Sequence, residues 1–133
     1  MLGLMRGRTA LVLLATTLAL PALSLQPAHA RARSRLPPPQ TVEPSAIRVH
    51  DGDTFSVGLL KIRLRGVDTP ELGAPGGRLA AQRLAALLRE GPVTIVPRAE
   101  DAYGRIVADV FVGGRDVARV LRREGFDKFG RRG

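Results

Sequence analysis

Residues 51–71 read DGDTFSVGLLKIRLRGVDTPE. Asp51-Gly52-Asp53 is a turn signal, Thr54–Val57 a short apolar run, and Gly58 its end. In Leu60–Val67, Leu60, Ile62 and Leu64 alternate with Lys61, Arg63 and Arg65. That period of two predicts a half-buried strand. If the two runs are antiparallel neighbours, Asp53 at the start of one and Asp68 just past the end of the other share a rim. Two carboxylates meeting there repel unless a cation lies between them. Oxygen donors without His or Cys select a hard ion, Ca2+ or Mg2+. The Asp-Thr-Pro turn also offers the Thr69 carbonyl. Pro70 has a fixed φ that helps hold the turn, and Glu71 beyond it can act on a water.

Each acid alone has a plainer reading, because Asp-Gly-Asp-Thr and Asp-Thr-Pro-Glu are turn sequences whose side chains bond their own backbone. An EF-hand loop is excluded: its fifth and sixth positions need an oxygen ligand and Gly, and here they hold Phe55 and Ser56. Arg63, opposite the Ile62/Leu64 stripe or pointing into a polar part of the barrel mouth, and Arg105, after the tight Tyr103-Gly104 pair, turn the acids toward phosphate chemistry. A phosphodiester passing through a five-coordinate state gathers charge on its equatorial oxygens. A divalent ion and two guanidinium forks stabilise that charge, and a carboxylate that takes a proton from water supplies the nucleophile.

Outward from this stretch, Ala46–His50 reads as a strand with Ile47 and Val49 on one face. Residues 72–77, LGAPGG, form a loop. Arg78–Glu90 reads as a helix with Ala80, Leu84, Leu87 and Leu88 on one stripe and Gly91 as its C-terminal cap. Val93–Val96 is a strand closed by Pro97. Ile106–Val112 is another, with Ile106, Ala108, Val110 and Val112 inward, and Gly113-Gly114 turns the chain. Asp116 caps a second helix, Val117–Glu124, with Val117, Val120 and Leu121 buried and Gly125 at its end. Five short strands with a helix after the third outline an OB-fold barrel. The fold class expected is therefore mainly β with α.

The chain has 133 residues, room for one ordinary domain, and a net charge of +9. It has no cysteine, which excludes disulfides, a thiol nucleophile and an acylated-cysteine anchor. Residues 1–30 read as an export signal. Arg6 and Arg8 precede the apolar run 10–20, and Ala28-His29-Ala30 is a small-x-small cleavage site. The run is too short to span a bilayer comfortably and Pro21 breaks it. No twin-arginine pair stands near the start, so the general secretory route is expected, to the periplasm or the medium. Residues 1–30 hold two arginines and no acid, so their removal leaves 103 residues with a charge of +7. A basic exported domain suits a polyanion. Residues 31–44, RARSRLPPPQTVEP, read as a linker, with the ordered domain starting near Ser45 and continuing to residue 133.

The motifs Asp51-Gly52-Asp53-Thr54, Arg63, Val67-Asp68-Thr69-Pro70-Glu71 and Asp101-Ala102-Tyr103-Gly104-Arg105, in this order and spacing, resemble the staphylococcal nuclease-like (thermonuclease) family over about residues 45–126. The resemblance implies an OB-fold enzyme that hydrolyses DNA and RNA with Ca2+, leaving 3′-phosphates and 5′-hydroxyls. It implies that Asp53, Asp68 and the Thr69 carbonyl hold the ion and that Glu71 is the base or positions water. Arg63 and Arg105 would hold the scissile phosphate, Tyr103 would contact the nucleotide or its other phosphate, and Asp51 would stand behind the ligands. Two departures stand out. Ala102 replaces a lysine frequent in the family, and the family's third helix is absent or replaced by FDKFGRRG, with Phe126 and Phe129 expected to cover the barrel there.

Three functions remain in view. A monomeric secreted nuclease with little sequence preference, favouring single strands, accounts for both the acids and the basic charge. A non-catalytic OB-fold module for nucleic acid accounts for the charge but gives Glu71 no purpose. A basic envelope protein leaves all the acids unexplained. His50, Asp101 and the arginines at 115, 119, 122, 123, 131 and 132 read as turn or surface residues, the arginines aiding attraction of a polyanion.

Overall fold

The computed structural model describes residues 36–128. The expectations for an export signal, its cleavage site and Phe129 lie outside that range. The strands are β1 (Gln40–Val42), β2 (Ile47–Val49), β3 (Thr54–Val57), β4 (Leu60–Leu64), β5 (Val93–Glu100), β6 (Ile106–Val112) and β7 (Arg115–Asp116). Helix α1 spans Gly77–Leu88 and α2 spans Val117–Arg123. One curled sheet runs β1-β5-β6-β4-β3-β2, with β7 beside β6. This is the OB-type arrangement of mainly β structure with two helices. The hydrogen-bonded ladder ends at β1 and β2, which a single 3-10 turn at Pro44–Ala46 joins.

Two strands were not expected. Gln40–Val42 lies within the stretch read as linker, yet it pairs with Val93–Ile95 of β5. Proline punctuation at 37–39 hides so short a strand, because three residues carry too little periodicity to register. Arg115–Asp116 returns against Phe111 and Val112 after the Gly113-Gly114 turn. Pro97 does not close its strand. β5 continues to Glu100 through a bulge between Pro97 and Ala99. Pairing with β1 stops at Ile95, so Pro97 occupies an edge position where a missing amide donor is tolerated. β4 ends earlier than expected, at Leu64, although the Arg65 amide still donates to the Ala108 carbonyl.

The inward faces are those that alternation predicts. Ile62 and Leu64 of β4, and Ile106, Ala108, Val110 and Val112 of β6, join Phe55, Val93 and Ile95 in one core. Ala80, Leu84, Leu87 and Leu88 bury the predicted stripe of α1. That helix ends in tight i to i+3 bonds from Arg89 and Glu90, and Gly91 does not take up a left-handed cap. In α2, Val117, Ala118 and Leu121 are buried while Val120 packs at the edge. Asp116 accepts the Arg119 amide as the predicted N-cap, and Gly125 at φ +81° ends the run.

One pairing positions everything that follows. β4 and β6 are parallel, with Ile62 beside Ile106, Arg63 beside Val107 and Leu64 beside Ala108. Arg63 of β4 and Arg65 just after it therefore stand next to the outward residues of β6, Val107 and Asp109. Asp109 accepts from Arg65 Nε at 2.6 Å and from Arg98 Nε at 2.7 Å.

Two predictions test this packing. Leu84→Ala should cost about 2–5 kcal/mol in chemical denaturation, since its side chain is fully buried. The hydrogen bond from Arg65, with Arg98 adding to it, outweighs burial and holds the Asp109 carboxyl below its ordinary 3.8. The folded state therefore resists protonation that the unfolded state accepts. The pair's stabilisation is full above 3.8 and is lost as pH falls through the lower folded value. Asp109→Asn should cost about 1 kcal/mol at neutral pH, and denaturation at pH 3 should show that difference shrinking.

Candidate active site

The chain enters β3 through a turn in which the Asp53 amide donates to Asp51 Oδ1 at 3.0 Å. Asp53 is 6% exposed and its carboxylate is fully engaged. Oδ1 accepts the Thr54 hydroxyl at 2.9 Å, and Oδ2 accepts the Thr69 amide at 3.0 Å. Oδ2 also lies 3.1 Å from Arg63 Nη1. The second arm of the same guanidinium donates to Asp68 Oδ1 at 3.0 Å. Arg63 thus sits between the two carboxylates expected to share a rim. The antiparallel register that pairs Thr54 with Arg63 brings them together, and Leu64 N to Asp53 O at 2.8 Å extends that ladder into the turn. Burial pushes the Asp51 carboxyl above its usual range. The Asp53 charge adds to this, while the Asp53 amide pulls the other way.

Two glycines let the turns meet. A Cβ at Gly52 would come within 2.5 Å of both Thr69 Oγ1 and Ala80 Cβ. A Cβ at Gly77, the first residue of α1, would collide with the Glu71 carbonyl. The Asp51-Gly52-Asp53 turn is therefore pressed against Thr69 and α1, and the start of α1 is pressed against the backbone of Glu71. Thr69 is 2% exposed, and its hydroxyl is the buried side-chain oxygen without a hydrogen-bond partner among the described residues.

A cleft of about 610 Å³ opens over Arg63, Asp68, Tyr103, Arg105 and Val107. The Asp101–Arg105 turn forms its far wall. Asp101 Oδ1 accepts the amides of Tyr103 and Arg105, each at 2.9 Å, and Oδ2 accepts Arg105 Nε at 2.7 Å. Burial works against the Asp101 charge, but these bonds outweigh it and hold the carboxyl below its usual range. Asp101, read as a turn residue, thus also fixes the guanidinium of Arg105. Tyr103 is 85% exposed, with the Arg105 guanidinium 5.4 Å from its ring centre.

Arg63, Asp68, Tyr103 and Arg105 share this cleft, and Asp53 and Thr69 lie buried beneath it. Glu71 does not line it. Its side chain is 78% exposed, with its Oε1 3.7 Å from Lys128 Nζ. Lys128 and Asp127 were not singled out in the sequence. Lys128 Nζ also lies 3.6 Å from Asp68 Oδ2. The Lys128 amide donates to the Asp68 carbonyl at 2.8 Å, and Asp127 Oδ1 accepts the Asp68 amide at 3.3 Å. The segment after α2 therefore braces the Asp68 turn on both its polar backbone atoms, a contact across about 60 residues that no local pattern signals. Phe126, partly buried, packs against the core.

No three His, Cys, Asp or Glu side chains converge as metal ligands among the described residues. The oxygens of Asp53 and Asp68 are already engaged by Arg63, and those of Asp53 also accept from Thr54 and Thr69, so an ion between the two acids would have to displace the guanidinium. An oxygen-only donor set is of the kind a hard cation takes.

The model of the Staphylococcal nuclease homologue family matches residues 61–131. A micrococcal nuclease of Shigella flexneri is 36% identical over 69 residues, covering 49% of this chain and 40% of that protein. A staphylococcal-like nuclease, CAN1, of Arabidopsis thaliana is 34% identical over 65 residues, 49% of this chain and 20% of that protein. An uncharacterized endonuclease of Escherichia coli is 33% identical over 84 residues, 59% of this chain and 55% of that protein. The match thus spans from a fifth to about half of the length of these relatives.

The close approach of α1 to the acid turn gives a prediction. Gly77→Ala should destabilise the fold by about 3 kcal/mol, the upper range for forced overpacking. The obstacle is a backbone carbonyl, which cannot rotate away as a flexible side chain can. Thermal or urea unfolding measures it, with Gly73→Ala, where a Cβ meets nothing within 4 Å, as the matched control.

Proposed function

This chain belongs to the staphylococcal nuclease homologue family, and we propose that it is a Ca2+-dependent nuclease that cleaves phosphodiester bonds of DNA and RNA with little sequence preference. The observation that carries this reading is the Arg63 guanidinium, held 3.1 Å from Asp53 and 3.0 Å from Asp68 in a cleft that also presents Arg105. The nuclease names of the relatives and the net charge of +9 support it.

In this reading Asp53, Asp68 and the Thr69 carbonyl hold the ion, with Asp51 supporting Asp53 from behind. An ion bound there would supply positive charge to offset that of the phosphate. Arg63 and Arg105 grip the phosphate oxygens and stabilise the charge that grows on them in the five-coordinate state. Arg105 is pre-aimed by Asp101, whereas Arg63 turns from the two acids to the phosphate when an ion takes its place between them. Glu71, at the exposed edge of the Asp68 turn, takes a proton from the attacking water. The new bond forms between that water oxygen and phosphorus, the bond to O5′ breaks, and the departing O5′ takes a proton from solvent water. The products are a 3′-phosphate and a 5′-hydroxyl. Tyr103, exposed beside Arg105, contacts the nucleotide. The domain acts as a monomer, exported to the periplasm or medium by its N-terminal signal, and prefers unpaired strands.

The test uses oligonucleotide cleavage by the wild type and Glu71→Gln. Glu71→Gln should lower kcat by about 10²–10⁴-fold while binding stays equal or tightens, because a negative charge near the phosphate is removed. Wild-type cleavage should stop with chelator. It should be slower with Mg2+ than with Ca2+, since Mg2+ demands near-octahedral geometry and releases water reluctantly. Unchanged turnover in Glu71→Gln, or equal rates with both ions, would overturn the assigned roles. Binding without cleavage by the wild type would leave an OB-fold binding module.

A further inference from the structure

The outward face of β6 carries Val107, Asp109 and Phe111 in succession, each half-buried, while their neighbours point into the core. Val107 lines the cleft just described. Phe111 lines a separate groove of about 470 Å³, whose walls are Arg115, Asp116, Arg119, Val120 and Arg123. Four residues separate the two sites, about 13 Å along a strand. Between them stands Asp109, whose single charge is outnumbered by Arg65 and Arg98. From the cleft to the groove, this face therefore carries an excess of positive charge.

Within the groove, Arg115 is paired with Glu90, and the Asp116 carboxylate is occupied in capping α2. Arg119 and Arg123 have no acidic partner among the described residues. They stand four apart on α2, where like charges on adjacent turns repel each other. A phosphate between them removes that repulsion. An aromatic ring beside paired guanidiniums is the combination that holds a single strand, with bases stacking on the ring and the backbone tracking the charge. We propose that the groove formed by Phe111, Arg119 and Arg123 is a second contact site for single-stranded nucleic acid. It lies outside the reactive cleft and grips the strand some nucleotides away from the scissile bond. The span fits the about 4–16 nucleotides that one OB-fold covers. This inference rests on the nuclease reading for its purpose, but binding alone can test it.

The experiment measures fluorescence anisotropy of a labelled 12-nucleotide oligothymidylate with the full chain in chelator, across a salt series. The variants are Arg119→Ser/Arg123→Ser and a control with the same charge change at α1 and its C-cap, Arg78→Ser/Arg89→Ser, at exposed positions outside both sites. The α2 variant should flatten the slope of log K against log salt by about 1.4, two contacts at about 0.7 each, while the control leaves the slope close to wild type. Phe111→Leu should weaken binding by about tenfold with little change of slope. With Ca2+, the α2 variant should cut a dinucleotide substrate at the wild-type rate and show a raised KM only on the 12-mer.

Equal effects of the two double variants would reduce the groove to bulk charge and overturn the proposal. So would an unchanged slope in the α2 variant, or loss of binding to phosphatidylglycerol vesicles with none to the oligonucleotide. If no protein cleaves with Ca2+ while the slope still falls as stated, the nuclease reading fails and the groove stands.

Discussion

The guanidinium of Arg63 is the group on which the site depends. It links Asp53, in the turn before β3, to Asp68, in the turn after β4. Without a cation between them these acids would repel across the end of the hairpin. With it, two loops 15 residues apart become one rigid rim. Asp53 is further fixed by the Thr54 hydroxyl and the Thr69 amide, so its buried charge is matched on both oxygens. A buried carboxylate so satisfied is a positioned group.

The second determinant is the parallel pairing of β4 with β6. Parallel neighbours cannot be joined by a tight turn. Here the connection runs through α1 and β5, and it carries the Asp101–Arg105 turn to the wall opposite Arg63. The same connection lets α1 start against the Glu71 carbonyl, where only a glycine at position 77 fits. Core packing and the geometry of the acid turns are thus coupled. The helix that buries Leu84 against the sheet also limits where Glu71 can lie.

Much of the fold was legible in the alternation of apolar and charged residues. The inward sets of β4 and β6 and the stripe of α1 follow from periods of 2 and 3.6, which local chemistry imposes. Short or punctuated strands were not legible. Gln40–Val42 and Arg115–Asp116 exist because a neighbouring strand completes their hydrogen bonds, and Pro97 is carried through because its edge is unpaired there. At the site, the turn chemistry of Asp51, Asp53 and Asp68 was visible as motif. The brace from Asp127 and Lys128 was not, because its spacing in sequence carries no periodic signal.

The amino-acid sequence by itself determined which residues face the core, where the acid turns and arginines stand, and the family whose motif order they match. These follow from nearest-neighbour sterics, period and composition. Only the tertiary structure decided that Arg63 spans both acids, that Arg105 shares its cleft, that Glu71 stays at the exposed edge beside Lys128, and that Phe111 meets the arginines of α2. Each of these depends on strand register and helix docking, which arise from long-range burial and cannot be read from any short segment.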